Sequence, residues 1–155
     1  MARNVKMEES EINHQLKSKR EYLGSFAVDE LTQVKVTSYP CFIIINLDKR
    51  KQGGSHWIAL AIYMKRLYIC DSLGGILPDD TMSYEIVKFL RSLLYNRTLC
   101  ITRQLQPLHS ELCGYYCILF IKQMATNHSF IDFINLFTKD KIQNDKIVTF
   151  LNKRV

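Results

Sequence analysis

The stretch QLQPLHSELCGYYCILF, residues 104–120, carries a polar, turn-prone run into an apolar one, with Cys113-Gly114 at the junction. A cysteine there is either a packing residue or a nucleophile. A helix N-terminus favours the thiolate, because its unpaired N–H groups and dipole stabilise negative charge. Such a nucleophile needs a base, and the candidates are His14, His56, His109 and His128. His14 and His128 fall in polar segments that read as surface. His109 lies four residues before Cys113, in a loop too tight to bring the ring back at a useful angle. His56 opens the apolar run HWIALAIYM directly after Gly53-Gly54, and Asp71 follows a second run, LYIC. Gln106 sits in the polar loop seven residues before Cys113. A thiol, a base, a carboxylate to orient the base and an amide N–H for an oxyanion are the parts of acyl transfer.

The surrounding elements must bring these parts together. CFIIINL at 41–47 has the β-branched, apolar pattern of a buried strand. Residues 56–64 and 67–70 flank Lys65-Arg66 and read as a hairpin. With a two-residue turn there, position 60 faces 71, and His56 and Asp71 share a face but are offset by roughly 13 Å. Twist, a longer turn or a bulge must close that gap. SLGGILPDD, from Ser72, reads as a loop rich in turn formers. The spacing predicts an amphipathic helix over 83–95, capped by Ser83, and a short strand from Leu99 to Thr102. From Cys113 to about Met124 the chain is apolar on nearly all sides, which predicts a central buried helix. Two short amphipathic helices are expected after Ser129, and a weakly anchored one within residues 1–20, where Ile12 and Leu16 have helical spacing. The expected fold is α+β: a small, mainly antiparallel sheet packed on a buried helix, in one domain over 1–155.

Composition bounds the partners. Of 155 residues, 47% are hydrophobic and 23% charged, as in ordinary globular chains. No apolar run reaches the roughly 18 residues of a membrane span, and the N-terminal residues do not resemble a signal peptide. The five cysteines, Cys41, Cys70, Cys100, Cys113 and Cys117, are odd in number and mostly lie in apolar runs. Reduced thiols inside a cell are therefore expected, with Cys117 a core residue. The net charge of +6 is dispersed; it is either a solvated surface or a contact for DNA. No spacing of His, Cys, Asp or Glu argues for a metal.

GGSHWIALAIY, LYICDSLGG and LQPLHSELCGYYCILF, in that order, resemble the adenovirus-type cysteine proteases, which share their catalytic arrangement with the SUMO and other ubiquitin-like proteases. YLGSF near residue 22 and FTKDKIQNDKIVTFL near the end are similar to the versions carried by Polinton (Maverick) and adintovirus-like elements. The resemblance implies a papain-like arrangement with Cys113 as nucleophile, His56 as base, Asp71 as its partner and Gln106 as oxyanion donor. It also implies cleavage of capsid or core precursor proteins in the host nucleus or virion, and stimulation by DNA and by a short viral peptide. Cys100, in CIT, resembles the cysteine that forms a disulfide with that peptide. Adenovirus enzymes usually carry Glu where Asp71 stands, and DSLGG is closer to the ubiquitin-like proteases. A deconjugase and an inactive module that binds DNA or capsid are the rival expectations.

Overall fold

The central strands are apolar on both faces, and the two cores of the protein explain why. In the computed structural model, which describes residues 7–52, 56–74 and 83–154, helix α1 (Glu9–Leu16) precedes strand β1 (Tyr22–Ala27). After a 3-10 turn come β2 (Cys41–Asn46), β3 (Trp57–Ile62) and β4 (Arg66–Cys70). Helix α2 (Tyr84–Leu93), β5 (Thr98–Ile101), α3 (Cys113–Ala125), α4 (Phe130–Ile134) and α5 (Lys141–Asn152) complete the chain. The five strands lie in sequence order in one sheet. One face packs on α3, flanked by α1, α4 and α5; the other packs on α2 and the 3-10 turn. Burial on both sides accounts for continuous apolar runs in β2 and β3 rather than alternation.

The α+β class and the buried central helix are as the pattern predicts. The sheet is mixed: β2–β3 and β3–β4 pair antiparallel, whereas β1–β2 and β4–β5 pair parallel. The residue pattern does not reveal β1, because a register shift between Tyr22 and Gly24, with Gly24 at φ +134°, interrupts its pairing. Ser83 caps α2 as expected, accepting from the N–H of Ile86. The small side chains on one face of β3, Ala59 and Ala61, belong to the core with α3, while Ile58, Leu60 and Ile62 fill the opposite core. Those alanines let α3 run close under the strand that leads from His56.

Helix α1 is firmly seated, which corrects the expectation of weak anchoring. Ile12 and Leu16 are fully buried in the α3 core. Glu9 accepts from Ser25 on β1 at 2.9 Å and is ion-paired with Arg50, which also pairs with Glu30. Two apolar residues suffice because both reach the main core instead of a surface groove. Ile12→Ala should therefore destabilise the protein by about 2–5 kcal/mol in urea unfolding; a change under about 0.5 kcal/mol would mean α1 is dispensable.

Candidate active site

His56 and Asp71 lie just outside β3 and β4, at the sheet end that overlooks the start of α3. The hairpin turns one residue earlier than expected: Tyr63 donates to Arg66, so Met64-Lys65 form its tip, and Ala59 pairs with Cys70. That register places Asp71 two positions from His56 along the strands instead of four, roughly 7 Å. Side chains that have left the regular strands span the remainder. The His56 Nε2 meets Asp71 Oδ1 at 2.7 Å. Gly53-Gly54, the expected flexible lead-in to His56, lies outside the described residues, as does the 75–80 part of the predicted loop.

Four further hydrogen bonds hold Asp71, one of them on its carboxylate. Thr102, just after β5, accepts from the N–H of Asp71 at 3.0 Å and donates to its carbonyl at 2.7 Å. The N–H of Leu73 donates to Asp71 Oδ1 at 3.1 Å, and that of Gly74 donates to the Asp71 carbonyl at 2.8 Å. Gly74 has φ +68°, and a Cβ there would stand 2.6 Å from the backbone nitrogen of Gln104. Only glycine fits both the left-handed turn and the close approach.

Cys113 is the first residue of α3 and is 3% exposed. The N–H of Trp57 donates to its Sγ at 3.5 Å. His56 also interacts with Cys113, so the imidazole lies between thiol and carboxylate. Burial alone would lower the pKa of His56, but the bonds to Asp71 and Cys113 outweigh it and raise the pKa to about 9. Burial alone would raise that of Cys113; the His56 bond and charge, with the N–H groups of Trp57 and Gly114, hold it below the ordinary thiol value. The opposite shifts share one cause: the charged form of each group favours the charged form of the other. Burial pushes the Cys70 and Cys117 thiols well above the usual value and Cys41 up to about 11. They are core cysteines, as expected for Cys117. Cys100 is half-buried on β5.

Gln106 is almost fully buried, and its amide is held at both ends. Its Oε1 accepts from the Ser72 hydroxyl, and its Nε2 donates to the carbonyl of Ser110, three residues before Cys113. Asn144, fully buried on α5, donates to the carbonyls of Leu105 at 3.0 Å and Thr138 at 2.9 Å, fastening the same loop. Sequence spacing missed Ser72, Thr102 and Asn144, since each acts on a residue more than 30 positions away. Trp57 lines a cleft of about 160 Å³ with Glu8, Glu9, Asn46, Asp48 and Arg50. Its indole N–H is buried with no acceptor among the described residues. His14, His109 and His128 are exposed and do not join this group. Among the described residues, no three His, Cys, Asp or Glu side chains are grouped to hold a metal, and no helix is long and apolar enough to cross a membrane.

A sequence profile described as adenovirus endoprotease matches residues 22–148. The chain belongs to that family. It is 36% identical over 91 residues to the protease of ovine adenovirus D serotype 7, and 35% over 89 residues to that of bovine adenovirus 4. Each match covers 50% of this chain and 44% of the relative, so the chain aligns with less than half of those proteins. Among solved structures, an ASFV protease superposes with a TM-score of 0.63 at 16% identity, covering 98% of this chain and 68% of that one. SUMO protease Ulp1, with its catalytic cysteine oxidised to a sulfenic acid, gives 0.56 at 15% identity, with 97% and 81% covered. Those two likenesses establish the shared fold.

The pairing of Cys113 with His56 is directly measurable. Iodoacetamide should alkylate Cys113 with a pH midpoint below the ordinary thiol value of ~8.5, followed by peptide mapping to exclude Cys100. In His56→Ala that midpoint should move upward, because burial then acts unopposed. An unchanged midpoint would show that the thiol does not sense the imidazole.

Proposed function

We propose that the protein is a cysteine endopeptidase in which Cys113 attacks, His56 transfers the proton, Asp71 orients His56, and Gln106 stabilises the oxyanion. The observation that carries this reading is the single imidazole held between a buried carboxylate and a thiol of lowered pKa. The thiolate adds to the scissile carbonyl, and the negative oxygen is met by the Gln106 amide and the backbone N–H of Cys113. The imidazolium protonates the leaving amine, giving a thioester. The imidazole then activates water to release the acid. Asp71 keeps Nε2 occupied, which leaves Nδ1 for the exchange with sulfur.

As substrates we propose capsid or core precursor proteins of a virus or a Polinton-like element, with small residues such as glycine at the cut. The activity would act in the host nucleus or virion. Stimulation by DNA through the +6 charge, and by a peptide joined to Cys100, belongs to the same reading. Removal of ubiquitin-like proteins is the competing enzyme reading, and a binding module without turnover the competing class.

Incubation with capsid precursors and with ubiquitin-like fusions, with fragment termini identified, decides among them. Cleaved precursors and intact fusions are expected; the reverse would establish a deconjugase. Cys113→Ser should abolish turnover and remain folded. His56→Ala should lower kcat/KM by about 100- to 10,000-fold, and Asp71→Asn by less. Gln106→Ala should lower kcat by about 100- to 1,000-fold with KM little changed.

The pH profile has a definite sign. Activity rises as Cys113 ionises, below the usual thiol range, and falls as His56 loses its proton near pH 9. Alkylation of Cys113 should persist above pH 9 while turnover declines. Turnover still rising there would contradict the imidazolium's role as acid.

A further inference from the structure

Ser72 follows Asp71 directly and is 1% exposed, as is Gln106. Its hydroxyl donates to Oε1 of Gln106, and its carbonyl accepts the N–H groups of Leu105 at 2.8 Å and Gln106 at 2.9 Å. At the other end of the amide, Nε2 donates to the Ser110 carbonyl. A carbonyl can only accept, so Ser110 determines which end is nitrogen, and Ser72 must be the donor to the oxygen. One N–H of Nε2 is thereby consumed, and a second remains.

We propose that Ser72 is a positioning residue for the oxyanion donor: it anchors the Gln106 amide so that its second N–H is presented to the reacting carbonyl oxygen. The inference rests on the peptidase reading above. The terminal amide torsion of glutamine is soft. Without the Ser72 hydroxyl, Oε1 is buried and unsatisfied, so the amide turns to find another donor and takes its N–H with it. Asp71 and Ser72 are adjacent, so one strand end orients both the base and the oxyanion donor.

The test compares wild type, Ser72→Ala, Gln106→Ala and the double variant on a cleaved precursor peptide, with alkylation of Cys113 measured in parallel. Ser72→Ala should lower kcat about tenfold, the effect of one lost hydrogen bond, with KM little changed. Alkylation should keep its wild-type rate, because it forms no oxyanion. In the Gln106→Ala background, Ser72→Ala should add no further loss. An equal loss in that background, slower alkylation, or an unchanged kcat in the single variant would overturn the proposal. If Ser72→Ala does not fold, the near-isosteric Ser72→Cys, a weaker donor, should show the same pattern at smaller amplitude; full additivity with Gln106→Ala would refute it. Absence of turnover in wild type, with normal alkylation, would instead overturn the peptidase reading and this inference with it.

Discussion

One imidazole shared between Asp71 and Cys113 is the interaction on which the rest of the structure depends. Burial alone opposes the ionised forms of both the His56 ring and the Cys113 thiol. Together each favours the other's charged form, and the carboxylate of Asp71 favours the protonated ring. The low local dielectric that penalises the separate ions strengthens their attraction. The fold must therefore hold together three side chains, from the start of β3, the end of β4 and the start of α3.

Two devices meet the requirement. Ala59 and Ala61 keep β3 close to α3, so the strand leading from His56 passes beside the helix that begins with Cys113. Buried polar side chains then fasten the loop between β5 and α3: Thr102 to Asp71, Ser72 to Gln106, and Asn144 to the carbonyl of Leu105. Each is a satisfied polar contact inside a largely apolar molecule, which gives the loop a single preferred position.

Much of this architecture was legible in the residues. Apolar runs located β2 to β4, helical periodicity located α2, and the apolar character of 113–124 on nearly all sides marked α3 as central. The four site candidates also came from residue type and context, and the structure sets His56 against Asp71 with Cys113 interacting with the same ring. What could not be read depends on pairing. The tip of the β3–β4 hairpin falls at Met64-Lys65, where no favoured turn residue marks it, and one residue of error there doubles the predicted gap between His56 and Asp71. Strand β1 escaped notice because its glycine breaks the pattern, and α1 looked weakly held because two buried side chains leave little trace among polar neighbours. Thr102, Ser72 and Asn144 are ordinary polar residues until the fold supplies their partners.

The turn after β4 has a consequence for how such a sequence can diverge. The Cα of Gly74 faces the main chain at Gln104 so closely that even a methyl group would collide with it. Replacing that proton would leave the sulfur, the ring and the carboxylate untouched in identity while levering the segment that carries residue 106 away from them. The chain thus has a point of inheritance where a change silent in charge and polarity would be read out as lost chemistry at a remote address.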